Sequence, residues 1–159
     1  MEQVCRDVYR GDVLSLQVLD RFAVRLCSHD EPYAVISITD PEASHPALVR
    51  SDHCRDVLRL RFLDIDGRIA QIRIPAPHVV GFTPEIAAKI AEFVREQRKN
   101  GVNLIVVNCE FGMSRSAGVA AALSLYYNYD ETFFLVHFQP NSWVRRLVLE
   151  ALRTPAVEE

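Results

Sequence analysis

Cysteine is scarce in this chain and shows no pairing. Its four cysteines, Cys5, Cys27, Cys54 and Cys109, form no Cys-x-x-Cys pair and no zinc spacing. Neither a disulfide framework nor a structural zinc site is indicated. That usage suits a reducing compartment, so the expected location is cytoplasmic. Charge of either sign is not in excess. A net charge of −3 provides no broad basic surface for nucleic acid or anionic lipid. Long apolar runs are missing too: no stretch is long enough to span a membrane. The N-terminal MEQVCRDVYRGDV has no signal-peptide apolar core. Repeats, low-complexity segments and an evident linker are absent. What remains is 49% hydrophobic and 25% charged over 159 residues, expected to form one domain, 1–159, with a real core. The tail TPAVEE is expected to fray. His29, His45 and His53 fall in irregular stretches without metal-ligand spacing, and read as solvated loop histidines.

One stretch carries chemistry. Leu104–Gly118, LIVVNCEFGMSRSAG, runs from an apolar strand through a tight loop into a helix-forming segment. Backbone N–H groups converge on an anion at a helix N-terminus, and the helix dipole favours negative charge there. Gly112 permits a tight bend and close backbone approach. Arg115 offers a planar fork to phosphate oxygens. The same positive field favours the thiolate of Cys109, the form that attacks. Ser116 can offer its hydroxyl to that sulfur. Glu110, Phe111, Gly112, Met113 and Ser114 separate Cys109 from Arg115, enough chain to wrap one phosphate.

Cys-x5-Arg followed by Ser, between strand and helix, resembles the phosphate loop of cysteine-dependent protein phosphatases. The SRS ending and short chain resemble the dual-specificity, tyrosine-phosphatase-like branch. One position departs: that family carries histidine where this chain has Asn108. The resemblance implies an α/β fold with a central, mainly parallel sheet of about four to five strands flanked by helices. It implies a cysteinyl-phosphate route in which Cys109, Arg115, Asp64 and Ser116 are catalytic and Glu110 to Arg115 bind phosphate. No cofactor and no metal are implied. The implied partner is a phosphorylated substrate, foremost a phosphoprotein; nucleic acid and membrane are not expected.

The rest of the chain fits around that loop. Val13–Leu19 reads as a first strand, Asp20–Cys27 as a short helix or turn, and apolar Tyr33–Thr39 as a buried strand ended by Asp40-Pro41. Val57–Phe62 alternates apolar and basic residues, so it reads as a strand with one buried face. It delivers Asp64 and Asp66 to a strand's C-terminal edge, where open α/β sheets bind ligands. The family carries its leaving-group acid on a loop after a similar strand. Asp64 matches that position and Asp66 is the runner-up; the plain alternative is two turn formers before Gly67. The 67–81 stretch exceeds minimal family members. It reads as a surface loop, or as an extra hairpin or flap beside the pocket bringing Arg68, Arg73 or His78 to substrate.

Thr83, Pro84 and Glu85 open a helix with Ile86, Ile90, Phe93 and Val94 as its stripe, stopped by Asn100-Gly101. The strand–helix–strand order predicts parallel pairing with a right-handed crossover. A central helix spans about Ser114 to Tyr127, apolar nearly all round. ETFFLVHF follows, broken by Pro140-Asn141, a pair that also resembles the family. Ser142–Arg153 forms the last helix, with Val144, Leu147, Val148 and Ala151 on its stripe. Trp143 and His137 read as core or core rim.

Two other classes compete. One is a catalytically weak or inactive phosphate-binding module, a pseudophosphatase, suggested by Asn108. The other is a sulfur transferase or an arsenate reductase; a reductase needs Cys27 or Cys54 near Cys109 to resolve the intermediate. Among substrates, phosphotyrosine, phosphoserine or phosphothreonine, phosphoinositides and RNA 5′-phosphates all occur in the resembling family. Apolar Phe111 and Met113, acidic Glu110 and the absence of a lysine run in the loop argue against polyanions.

Overall fold

Parallel strands that are covered on both faces read as continuous apolar runs, and two segments of this chain have that character. The structure, a computed structural model, describes residues 6–65 and 81–156. Among these, four strands form one sheet: β1 (Ser15–Leu19), β2 (Tyr33–Thr39), β3 (Cys54–Arg61) and β4 (Leu104–Asn108). Their order is β1-β4-β2-β3 and every pairing is parallel. Central β2 and β4 are buried at every residue. Edge strand β3 buries only Leu60. It starts at Cys54, ahead of the Val57 expected, because backbone pairing with β2 extends it through polar residues that carry no apolar signal.

The sheet's two faces divide the core. Leu16, Val18, Ile36, Ile38, Ile105, Val107 and Cys109 belong to one cluster, and Leu19, Tyr33, Val35, Leu104 and Val106 to the other. The first cluster is completed by α2 (Pro84–Lys99), α3 (Arg115–Asn128) and α5 (Ser142–Arg153). The second is covered by α1 (Arg21–Val24) and by Cys27, Leu48 and Val57. A short α4 (Thr132–His137) packs against α3.

Small residues let α3 sit at the centre. Ala117, Val119, Ala120, Ala121, Ala122 and Leu123 are fully buried. A Cβ on Gly118 would stand 2.8 Å from the Asn141 carbonyl oxygen, so α5 and its entry turn press directly on α3 backbone. The expected N-terminal signals of α2 hold: Thr83 Oγ1 accepts from the Ile86 amide. Its buried stripe is turned toward Ala87, Ile90, Ala91 and Val94, with Ile86 and Phe93 partly buried. In α5, Val144, Leu147 and Val148 are buried as expected; Leu149 and Leu152 join them and Ala151 lies at the margin.

Several expectations change. His137 is exposed, its ring tilted against Phe133 at 4.6 Å, rather than core or core rim. Trp143 lies at the core rim as expected, half-buried against the first cluster and donating to the Phe82 carbonyl. His29, His45 and His53 are half-buried rather than solvated. His29 packs edge-on against Tyr33 and shares a 2.8 Å hydrogen bond with Gln17. Burial holds His29 below the usual histidine range. His45 is lowered too, by burial and then by Arg61, Arg59 and Arg21. Cys5, Asp66, Arg68, Arg73 and His78 lie outside the described residues, and with them nearly all of the 67–81 stretch. Among the described residues no helix is long and apolar enough to cross a membrane.

Candidate functional site

β4 delivers Cys109 at the C-terminal edge of the sheet, where Asn108 pairs with Leu19 and Ser37 of the flanking strands. The strand's alternation turns Cys109 toward the helix-side core, 2% exposed. The chain then loops through Glu110 to Ser114 into α3.

Loop carbonyls and amides are sorted. The Glu110 carbonyl accepts from the Arg21 amide at 3.2 Å, and the Met113 carbonyl from Gln139 at 3.0 Å. The Ser114 carbonyl accepts from Gly118 at 2.8 Å and from Asn141 at 2.9 Å. No backbone N–H from Glu110 to Ser114 finds an acceptor among the described residues. A loop with its Glu110, Met113 and Ser114 carbonyls engaged and its amides free among the described residues can form a nest for an anion. Gly112 makes the loop possible. Its φ is +66°, and a Cβ there would lie 2.7 Å from the Leu19 carbonyl carbon and the Asp20 nitrogen.

The side chains complete the arrangement. Ser116 Oγ lies 3.0 Å from Cys109 Sγ, both buried. Arg115, only 4% exposed, donates through Nη1 to Asp40 Oδ1 at 2.6 Å and to the Phe62 carbonyl at 2.8 Å. Its Nε is buried without a partner among the described residues. Phosphate oxygens are the natural acceptor for such a donor. Glu110 Oε1 takes bonds from Arg21 Nη1 and the Asp40 amide, each at 3.4 Å. The loop's first side chain is thus tied to α1 and to the end of β2.

Asp64 stands at the rim, exposed. Its Oδ1 accepts from Ser114 Oγ at 2.9 Å and from Asn141 Nδ2 at 2.6 Å. Both donors use the same oxygen, Oδ1. The structure therefore brings Cys109, Ser116, Arg115 and Asp64 to one loop. Asn108 is buried, yet neither atom of its side-chain amide has a partner among the described residues. Met113 is partly buried and Phe111 is exposed.

Two residues escaped the sequence reading. Asp40 reads locally as a strand terminator, and its partner Arg115 lies 75 positions away. Asn141 reads as half of the Pro140-Asn141 break; its side chain caps Val144, and its amide also holds Asp64. The Pro140-Asn141 pair was the only signal for it.

Neither Cys27 nor Cys54 can resolve a Cys109 intermediate. Cys54 pairs with Tyr33, which pairs with Leu104, and Tyr33 Oη donates to the Cys27 carbonyl. Cys54 thus lies at the strands' N-terminal end, about 16 Å from Cys109 at 3.3 Å per residue, and Cys27, its thiol 3.8 Å from Gln17 Oε1, packs in the cluster on the opposite face of the sheet from Cys109. Neither is within disulfide reach. Burial pushes the Cys27 thiol up to about 11 and raises Cys54 as well, so both are poor nucleophiles. Among the described residues no His, Cys, Asp and Glu cluster could hold a metal ion. A groove of about 810 Å³ between α2 and α5 is lined by no cysteine or histidine.

Solved structures share this backbone. Human tyrosine phosphatase-like serine/threonine/tyrosine-interacting protein aligns over 92% of this chain and 95% of its own, with TM-score 0.59 and 15% identity. PTPMT1 in complex with PI(5)P aligns over 92% and 94%, with TM-score 0.56 and 19% identity. A mouse putative dual specificity phosphatase complexed with zinc tungstate aligns over 96% and 91%, with TM-score 0.54 and 12% identity. The fold is that of the dual-specificity phosphatases, an all-parallel version of the expected α/β sheet. No protein-family model and no curated protein sequence matches the chain.

Proposed function

We propose that this chain is a phosphomonoester hydrolase that works through a cysteinyl-phosphate. One observation carries the reading. A cysteine lies 3.0 Å from a buried serine hydroxyl, at the base of a loop whose amides are free and whose flanking arginine keeps an unpartnered buried Nε. Free amides and a guanidinium aimed at one anion are the electrostatic stabilisation that phosphoryl transfer needs.

The chemistry runs in two steps. Cys109 thiolate attacks phosphorus, the ester P–O bond breaks, and the Asp64 proton passes to the leaving oxygen. Water then attacks the phosphocysteine, giving its proton back to Asp64. The S–P bond breaks, and the Ser116 hydroxyl donates to the departing sulfur. Loop amides and Arg115 hold the equatorial oxygens throughout.

The test is phosphate release from an aryl phosphate in reductant, with native protein beside Cys109→Ser and Asp64→Asn. The reading expects no turnover in Cys109→Ser. It expects a loss of about 10²–10⁴-fold in Asp64→Asn, together with the general-acid limb of the pH profile. An unchanged limb counts against Asp64, and its loss in Asp66→Asn alone moves the role there.

A second reading, a phosphate-binding module without turnover, draws on Asn108. A buried amide with no partner among the described residues does nothing visible to hold the loop. It predicts that native protein binds vanadate and releases no phosphate.

A further inference from the structure

Buried polar side chains are nearly always hydrogen-bonded, so a group of them without partners raises the question of what they bind. Ser37, Thr39 and Asn108 are such a group, each at most 1% exposed. Ser37 Oγ, Thr39 Oγ1 and both amide atoms of Asn108 have no partner among the described residues. Strand alternation places all three on one face. Val35 of β2 and Val106 of β4 belong to the second cluster, and Ser37, Thr39 and Asn108 continue those alternations toward the C-terminal end of the sheet. Ser37 stands opposite Asn108 in register, and Leu19 closes the other side of Asn108. Neighbouring strands lie about 4.8 Å apart, a span that one water bridges with two bonds of about 2.8 Å. Thr39 stands about 6.6 Å farther along its strand, within reach of a second water.

We infer that these three side chains hold a small cluster of buried water, and that through it Asn108 is a positioning residue for the Cys109 loop; the second part rests on the hydrolase reading above. The groups themselves select water. Hydroxyls and a primary amide both donate and accept, as water does. A buried anion among neutral groups would lack a partner charge. The cations on this face are Arg59 and Arg61, opposite Ser37 and Thr39 on edge strand β3, and both are exposed. Arg59 Nη1 is spent on the Pro46 carbonyl at 3.1 Å, and Arg21 is paired with Glu110. His45, beside Pro46, is lowered by burial and then by Arg61, Arg59 and Arg21, so near neutral pH it adds no charge. No cluster among the described residues could hold a metal ion.

Position gives the water its effect. The ladder between β2 and β4 ends at the row of Ser37 and Asn108. Cys109 is the next residue on β4. On β2, Asp40 follows Thr39, holds Arg115 at 2.6 Å and gives its amide to Glu110 Oε1 at 3.4 Å. Past the last backbone bond, water shared by Asn108, Ser37 and Thr39 ties the strand end that carries the thiol to the one that anchors the arginine. An amide with its water thus stands where the resembling family has a histidine.

The experiment joins a crystal structure of the native protein to a double-mutant cycle on aryl phosphate turnover. Its variants, Asn108→Leu and Thr39→Val, keep side-chain bulk and remove the polar atoms. Ordered water bonded to Asn108, Ser37 and Thr39 is the expected structural result. Direct bonds among the three side chains, or an anion between them, overturn the water site. In kinetics, each single substitution lowers kcat about tenfold. The pair together loses no more than about twofold beyond either one, because both break the same network. Thr39→Ser, which keeps the hydroxyl, recovers most of what Thr39→Val loses. Losses that multiply to about a hundredfold, or no loss in either variant, overturn the positioning role. Should Asn108→Leu fail to fold, the Thr39 variants decide it: equal kcat in Thr39→Val and Thr39→Ser overturns the role. A native protein that binds vanadate but turns nothing over overturns the hydrolase reading instead. The same cycle is then read from vanadate affinity, where independent losses overturn the role and shared ones uphold it.

Discussion

Two glycines with positive φ show how differently single residues bear on this molecule. Gly101 closes α2 at φ +84°, and a Cβ there meets nothing within 4 Å. Alanine at that position pays only for the left-handed conformation, about 1 kcal/mol of stability, with activity unchanged. Gly112 has φ +66° and backbone of β1 and Asp20 within 2.7 Å of the added Cβ. No flexible side chain can move aside there, so Gly112→Ala shifts the loop itself. Its expected signature is loss of vanadate binding and a fall of 10²-fold or so in turnover, with a melting change comparable to that of Gly101→Ala. Thermal melts of both variants beside vanadate titrations check the pair. Asp40 is the third telling residue. Asp40→Asn keeps the shape and removes the charge that holds Arg115, so kcat/KM for an aryl phosphate is expected to fall about tenfold. An unaltered kcat/KM would remove Asp40 from the machinery.

At the scale of elements, joints between strands and helices decide both stability and what a sequence can reveal. Asn128, at the end of α3, accepts from the Val13 and Leu14 amides through Oδ1, both at 2.9 Å. Its Nδ2 donates to the Leu14 carbonyl at 2.8 Å. One side chain thus satisfies three backbone groups at the entry to edge strand β1. Asn128→Ala strands buried donors and an acceptor, and a loss of about 2–4 kcal/mol in urea unfolding is expected. A loss under about 1 kcal/mol would show that water replaces the amide. Nothing local announces this joint, because its partners lie 114 and 115 positions apart. By contrast, Tyr33–Thr39 and Ser142–Arg153 were legible end to end. A run such as YAVISIT has only one use in an α/β protein, and a PN break before an apolar stripe marks a helix start. The Cys109 loop was legible for a related reason: its chemistry is local, contained between one strand end and one helix start. What stayed hidden was long-range. The ion pair of Asp40 with Arg115, the amide of Asn141 on Asp64, and the polar start of β3 are set by topology rather than by neighbours in sequence.

For the molecule as a whole, the C-terminal edge of the sheet and the second core cluster have different electrical character. The C-terminal edge gathers the loop, two arginines and their carboxylates. In the second cluster lie thiols and a phenol that burial keeps neutral: Cys27 pushed up to about 11, with Cys54 and Tyr33 also raised. That difference makes stability depend on pH from the side away from the site. A group whose folded value is raised binds its proton more tightly in the folded chain. Its contribution is whole below the unfolded value and disappears as pH climbs through the folded one. For Cys27 the window runs from its ordinary 9.0 to about 11. Native protein should therefore lose its stability margin over Cys27→Ala across that window, as read from urea midpoints taken in steps from about pH 8 upward. His29 and His45, both lowered, act at the other end: their contribution is whole above the ordinary histidine value of 6.5 and fades as pH falls through their folded values. The Cys27→Ala comparison isolates the alkaline limb, because lysine and tyrosine titrations are common to both proteins and cancel. A margin that stays constant across the window would mean that the thiol ionises as freely in the folded chain as in the unfolded one, and that the second core cluster admits water beside Cys27.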